Sequence, residues 1–416
     1  MLRCIEAGGK LGAEWNVYHA RTAVNDNYSP RKSMELAKIA LTLLADKANK
    51  SGSGIAIENL PVFPGWAQAR FFSSDYEDLC EINDYFSIIE KPKPTVTDDF
   101  AVVKVMAVGV CATDVHMING NVTLAKPPHI LGHEIAGTVD EIEGNSRGFK
   151  KGDRVVIDTV VSCGHCLACK SGRRELCPER QEIGYDPYDG GYAEYVKIPV
   201  QCLVHLPESI PFKDAAILES IACPFGAILR IGIRIGSTVL VQGAGPAGIA
   251  FIQSAKLSGA KKVIVSARGK QRLEFAKKFG ADFVIDAANE DVIKRIDELT
   301  NGQGCDYVID AAGSMQSIAT CFDVAKTGGD ILFYGIPSSD SKIEFPFMKM
   351  MMKQVRLHGV LEYCAGWDVL VGLVENGKIN VADMVTHTFS LDELGKAVDL
   401  YNSKDRSLIK AVIVNE

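Results

Sequence analysis

Residues Gly243-Ala244-Gly245-Pro246-Ala247-Gly248 form a G-x-G-x-x-G loop directly after the apolar run Val239-Leu240-Val241 and ahead of a helical stretch at 249–258. A strand that turns on glycines into a helix, with another β-rich run at 262–266 behind it, reads as a βαβ unit, and repeated units of that kind need a parallel sheet. The alternation continues. Strands are expected at 238–242, 283–286, 307–310 and 331–334, and helices at 270–279, 290–299 and 317–326. Residues 222–358 are therefore expected to form a doubly wound α/β domain. In that setting the first glycine permits the tight turn, the second lets a pyrophosphate approach the backbone, and the third lets helix and strand pack closely. Gly243, Gly245 and Gly248 are thus candidate dinucleotide-binding residues, with a merely structural glycine turn as the alternative.

Which dinucleotide is read at the end of the second strand, where an acid about 20 residues on would hold the ribose hydroxyl of NAD. Here that strand ends Val265-Ser266-Ala267-Arg268, without an acid. Ser266 offers a hydroxyl and Arg268 a bidentate cation suited to a 2′-phosphate, so NADP is expected over NAD. Lys270 and Arg272 add positive charge nearby or simply face solvent.

The remaining chain must supply the chemistry. At 416 residues it exceeds what one core usually serves, so two domains are expected. A formal net charge of −7 gives no broad positive field, which argues against a nucleic-acid partner. No apolar run approaches the roughly 18 residues of a membrane span. The start Met1-Leu2-Arg3-Cys4-Ile5-Glu6 lacks the apolar core of a secretory signal, so a cytoplasmic protein with no membrane partner is expected. From 76 to 221, β-rich runs at 101–108, 154–157 and 192–198 alternate with glycine and proline, predicting a mostly β domain.

That β-rich region concentrates metal-type side chains. Four of the twelve cysteines, Cys163, Cys166, Cys169 and Cys177, stand as C-x₂-C-x₂-C-x₇-C. Four thiolates suit a closed tetrahedral zinc site, which leaves no position for water or substrate and is therefore structural. A zinc ribbon and an iron–sulfur cluster are the rival readings. A ribbon usually separates its two knuckles by a longer span, and the surroundings show no basic stripe. Upstream lie Cys111-Ala112-Thr113-Asp114-Val115-His116 and Gly132-His133-Glu134, a mixed set of sulfur, nitrogen and oxygen donors. Taken singly, Cys111 and His133 read as core residues.

The order of these motifs, from Cys111-Ala112-Thr113-Asp114-Val115-His116 through Gly132-His133-Glu134 and the four-cysteine lobe to the glycine loop, resembles the zinc-containing medium-chain dehydrogenase/reductase family over about residues 76–416. Alcohol, sorbitol and threonine dehydrogenases belong to that family. The resemblance implies a GroES-like, mostly β catalytic domain at 76–221 and 359–416, and a Rossmann cofactor domain at 222–358. It also implies two zinc ions per chain. Cys111 and His133 look like ligands of the catalytic one, with Glu134 a third ligand or one that exchanges with water. Asp114 resembles the carboxylate that orients His133, a hydrogen bond that fixes the tautomer of a ligand histidine. Glu219, in Ala215-Ala216-Ile217-Leu218-Glu219-Ser220, matches the glutamate of the polyol and threonine branches and either binds zinc or holds its water; Cys223 is read as structural.

Zinc is a Lewis acid without redox chemistry, so a nicotinamide must take the hydride, which explains why both motifs share one chain. The family pattern makes Thr113 and His116 a proton relay, the imidazole's reference pKa of about 6.5 suiting the outer end. Their bland alternatives are a packed turn and a surface histidine. The expected activity is hydride transfer between a secondary alcohol or polyol, or its ketone, and NADP. An NAD-linked polyol or L-threonine 3-dehydrogenase is the nearest alternative, and a noncatalytic NADP-binding protein a remote one. Relatives imply a homodimer or homotetramer. Residues 1–75 depart from the family. Ser29-Pro30 opens a predicted helix there, with Met34, Ala37, Leu41, Leu44 and Ala48 as an apolar stripe that ends near Ser51-Gly52 and suits a subunit contact.

Overall fold

The computed structural model describes residues 15–18 and 54–57, and residues 88–416 apart from 120, 121, 123, 127, 145, 146, 338–340, 361–365, 404 and 416. The helix expected after Ser29-Pro30 lies outside the described residues. Contacts divide the chain into two compact units, Met1–Lys91 with Thr113–Leu124, and Pro92–Ala112 with Ala125–Glu416. In the first, β1 (Trp15–Tyr18) pairs in parallel with β2 (Gly54–Ile57).

The second unit begins with β3 (Phe100–Val110), β4 (Glu134–Ile142), β5 (Arg154–Ile157), the short pair β6 (Val160–Val161) and β7 (Gln181–Glu182), then β8 (Tyr195–Pro199) and β9 (Leu203–His205). Helix α1 (Ala112–Ile118) follows β3 in the chain but from Thr113 on belongs to the first unit; α2 (Leu167–Lys170) stands between β6 and β7, and α3 (Phe212–Ala215) and α4 (Leu218–Ile231) follow β9. The chain then alternates β10 (Thr238–Gln242), α5 (Pro246–Leu257), β11 (Lys262–Ala267), α6 (Lys270–Lys278), β12 (Phe283–Asp286), α7 (Val292–Thr300), β13 (Cys305–Asp310), α8 (Met315–Val324), β14 (Ala325–Phe333), α9 (Phe347–Lys353) and β15 (Arg356–Gly359). It closes with α10 (Trp367–Glu375), β16 (Val385–Phe389), α11 (Leu394–Asn402) and β17 (Lys410–Val414).

Strands β10 to β15 form a six-stranded sheet in the order β12-β11-β10-β13-β14-β15, with every pairing parallel. Its inner strands carry Val239, Leu240, Val241, Val263, Ile264, Val265, Val308 and Ile309, all fully buried. Continuous apolar runs of this kind are what a sheet covered on both faces requires, each such side chain contributing about 1.5–3 kcal/mol on burial. Strand β10 has β11 on one side and β13 on the other, so the strand order reverses beside it. Its carboxyl end is therefore the switch point at which sheets of this type bind ligands. The glycine loop stands there.

A seven-stranded mixed sheet runs β16-β17-β3-β4-β5-β9, with β8 also paired to β3. β17 pairs antiparallel with β3, bringing the last residues of the chain beside Val108, Gly109 and Val110. Several element bounds differ from the sequence-based expectation. Helix α5 starts at Pro246 instead of 249, because a proline at the first helical position gives up an N–H that has no partner there anyway. Strand β14 starts at Ala325 instead of 331, directly where α8 ends. Strand β8 starts at Tyr195 instead of 192: the Gly191 and Tyr192 amides donate to Gly132 O and Leu131 O, outside the sheet.

Candidate active site

At the switch point the glycines have separable reasons. Gly243 has φ of +102°, a left-handed conformation that disfavours any side chain. A Cβ on Gly248 would lie 2.1 Å from Gly243 O, so the loop and α5 meet too closely for alanine. A Cβ on Gly245 would meet nothing, so the protein's own packing does not require glycine there. That open space, beside the amino end of α5, fits a pyrophosphate approaching the backbone. Ser266 is buried and its carbonyl accepts from Gly243 N at 2.8 Å. Arg268 is exposed and its Nη2 donates to Gln316 Oε1 at 2.7 Å. Arg272 is half-buried, and burial together with nearby Arg406 pulls its guanidinium below the usual value.

In the mixed sheet, Cys111 directly follows β3, and His133 immediately precedes Glu134, the first residue of β4. One donor atom from each of Cys111, His133 and Glu134 lies within 4.8 Å of the other two. His133 and Glu134 are buried, and the His133 ring stands 5.5 Å from that of Tyr185. Glu134 Oε1 accepts from Ser220 Oγ and from Lys410 Nζ, both at 2.5 Å. Glu134 Oε2 is buried with no hydrogen-bond partner. A carboxylate oxygen left alone in the interior is costly, and a cation is the simplest group that would satisfy it. Thiolate, imidazole and carboxylate together form a zinc-type donor set, so the residues present fit that metal.

The space Oε2 occupies exists because of Gly109. Gly109 and Glu134 are paired directly across β3 and β4, and a Cβ on Gly109 would fall 1.9 Å from Oε2. Lys410 is fully buried and also donates to Val110 O at 3.0 Å. Burial pushes its ammonium down, but Glu134 and its neighbours outweigh that and hold it above the usual lysine range. Tyr401 Oη donates to the same Val110 O, and burial raises its phenol. Ser220, Lys410 and Gly109 were not singled out from sequence. A lysine inside the apolar run Leu408-Ile409-Lys410-Ala411-Val412 is the one signal that could have been read, since a buried lysine needs a carboxylate.

Glu219, in the first turn of α4, is buried, but it stands outside the Cys111, His133 and Glu134 group; Cys223 Sγ donates to its Oε1 at 3.8 Å. Of the residues on α1, Thr113 is half-buried, Asp114 buried and His116 exposed. They belong to the other compact unit.

One sulfur from each of Cys163, Cys166, Cys169 and Cys177 lies within 4.8 Å of the rest. Backbone amides point at the sulfurs: Cys166 N donates to Cys163 Sγ, Cys169 N to Cys166 Sγ and Cys163 N to Cys177 Sγ, each at 3.4 Å. The His165 and Cys166 amides pull the Cys163 thiol down to about 6, whereas the Cys169 amide's downward pull on the Cys166 thiol is outweighed by burial and the neighbouring sulfurs, which push it up to about 11. The lobe fits a four-thiolate ion.

Two family models match the chain, an alcohol dehydrogenase GroES-like domain over residues 97–208 and a zinc-binding dehydrogenase domain over 246–376. Sorbitol dehydrogenase of Bacillus subtilis is 32% identical over 313 residues, covering 74% of this chain and 88% of that one. L-threonine 3-dehydrogenase of Pyrococcus horikoshii is 33% identical over 318 residues, covering 75% and 90%. Among solved structures, a putative zinc-binding dehydrogenase from Sinorhizobium meliloti 1021 bound to NADP superposes with a TM-score of 0.73 at 31% identity, covering 78% of this chain and 94% of that one.

Proposed function

Because the chain belongs to the zinc-containing medium-chain dehydrogenase/reductase family and is an oxidoreductase of CH–OH donors, we propose that it moves a hydride between a secondary alcohol or polyol, or the matching ketone, and NADP. Its mixed sheet is the GroES-like part and its parallel sheet the Rossmann part. The observation that carries the reading is that Glu134, grouped with Cys111 and His133, keeps its Oε2 buried and without a hydrogen-bond partner. Those three residues would hold a catalytic zinc, Glu219 assisting, and Cys163, Cys166, Cys169 and Cys177 a structural one. When bound, zinc supplies Lewis acidity toward an alcohol or carbonyl oxygen, and the nicotinamide accepts or returns the hydride.

The chain's own residues do the rest. The backbone at Gly243, Gly245 and Gly248 and the amino end of α5 bind the pyrophosphate. Ser266 and Arg268 take the 2′-phosphate, a reading supported by the missing acid at the end of β11. Thr113 and His116 keep the proton relay that the family pattern gives them, and Asp114 the orientation of His133. The domain limits 76–221 with 359–416 and 222–358 are retained on the same pattern, with 1–75 as an extension. Among the described residues no helix is long and apolar enough to cross a membrane. A cytoplasmic home is supported by the spacing of Cys163, Cys166, Cys169 and Cys177, which suits a metal better than disulfides. A homodimer or homotetramer is supported by the edge strand β15 and by Phe347, Met348, Met351 and Met352, exposed on the neighbouring helix α9.

The test is a screen of polyols and secondary alcohols with both cofactors, alongside zinc quantification. About two zinc ions per chain and alcohol-dependent NADPH formation are expected. No zinc and no turnover across the panel would overturn the reading. For the cofactor, kcat/KM is compared for NADP and NAD in wild type and Arg268→Ala; the variant should lose roughly tenfold or more with NADP only, given about 1.5–3 kcal/mol for a hydrogen bond to a charged group. A wild-type preference for NAD would refute the NADP reading.

A further inference from the structure

Two donors from different elements meet on one oxygen of Glu134. Lys410 reaches Oε1 from β17, and Ser220 reaches the same oxygen from the first turn of α4. The two contacts differ in what they supply. Lys410 offsets the carboxylate's charge, and its ammonium is itself tied to Val110 O. The Ser220 hydroxyl brings no charge, only direction. Nor is it occupied in holding its own helix, because the amino end of α4 has no side-chain cap. Its hydroxyl goes instead to a residue 86 positions away.

A carboxylate can turn about its last torsion and present either oxygen. One donor on Oε1 leaves part of that freedom; two donors fixed on separate elements remove it. The other oxygen, Oε2, stays buried and without a hydrogen-bond partner, on a residue whose carboxylate is grouped with Cys111 and His133. We propose that Ser220 is a positioning residue for the metal, its hydroxyl holding Glu134 Oε1 so that Oε2 is presented to the site. The inference rests on the reading that Glu134 is a metal ligand. Groups that orient a metal ligand typically change metal affinity by about 10–100-fold when removed.

Metal-depleted full-length wild type, Ser220→Ala, Ser220→Thr and Glu134→Ala are titrated with Co²⁺. The visible d–d band of the mixed-ligand site is read apart from that of the four-thiolate site, and Zn²⁺ affinity is measured by competition with a chelating dye. Ser220→Ala should weaken the mixed-ligand site about tenfold and shift its band, while the four-thiolate site and the thermal midpoint stay as in wild type. Ser220→Thr, which keeps the hydroxyl, should restore both. Affinity within twofold of wild type and an unchanged band in Ser220→Ala would overturn the proposal. So would equal losses in Ser220→Ala and Ser220→Thr together with a lowered midpoint, since that assigns Ser220 to helix packing. If Glu134→Ala leaves the band unchanged, the ligand reading itself fails; if it removes the oxygen donor while Ser220→Ala changes nothing, only the positioning role fails.

Discussion

Gly109→Ala should empty the mixed-ligand metal site and leave the four-cysteine site filled. The added Cβ would sit 1.9 Å from Glu134 Oε2 and 3.0 Å from Glu134 Cβ and Cδ. Ordinary non-bonded contact begins at about 3.5 Å, so the overlap exceeds an ångström. Ordinarily a glutamate tip would swing aside. Here Oε1 is held by Ser220 and Lys410 and the whole side chain is buried. Strand β3 cannot give way easily either, since it is hydrogen-bonded to β4, β8 and β17. If the carboxylate leaves, Lys410 loses its partner in the interior, and breaking a buried pair costs about 3–5 kcal/mol, above the ~1–3 kcal/mol of ordinary overpacking. The thermal midpoint should fall by roughly 10 °C, and zinc measured by mass spectrometry should fall by one ion per chain. Wild-type zinc content with a midpoint within about 2 °C would refute the argument that Glu134 is pinned over Gly109.

Three further outcomes can be checked. Gly245→Ala should keep the wild-type midpoint but weaken NADPH binding in calorimetric titration, whereas Gly248→Ala, whose Cβ would strike Gly243 O at 2.1 Å, should lower the midpoint; the reverse pattern would misassign the loop. Burial pushes the Asp330 carboxyl up, but hydrogen bonds from Arg356 and His358 outweigh it and hold it below its ordinary 3.8. Its contribution is thus present above that value and lost as pH falls through the lowered one, so Asp330→Asn should flatten the acid limb of the stability curve; an unchanged limb would count against it. The double change Met351→Glu with Met352→Glu, on residues 58% and 72% exposed, should reduce the mass seen by light scattering to that of one chain if α9 lies in a subunit contact.

What could be read in advance follows physical rules. Strands such as Val239–Val241 announce themselves because burial on both faces demands unbroken apolar runs, and the glycine loop because Gly243 and Gly248 answer backbone requirements of the turn. The metal-type residues Cys111, His133 and Glu134 were legible as a motif, being close in sequence and chemically distinctive. Their supports were not. Ser220 and Lys410 stand 86 and 276 positions from Glu134; Ser220 carries no signal, and Lys410 in its apolar run signals a carboxylate partner without saying which one. The start of strand β8 is not legible, because the amides of Gly191 and Tyr192 find partners in another loop, which no periodicity discloses.

The return of the chain's end to the mixed sheet explains more than an extra pair of strands. Lys410 on β17 and Tyr401 on α11 both donate to Val110 O, the carbonyl just before Cys111. Lys410 then reaches on to Glu134. The C-terminal segment therefore fixes both the point where Cys111 leaves β3 and the carboxylate that starts β4, two residues with no covalent reason to stay in register. Buried ion pairs contribute little net stability against an apolar replacement of the same shape, so stability is a weak reason for the Lys410–Glu134 pair. Geometry is a stronger one. A metal site needs its donors held within a few tenths of an ångström, and closing β17 onto β3 with α4 against the same carboxylate would do so for the proposed one.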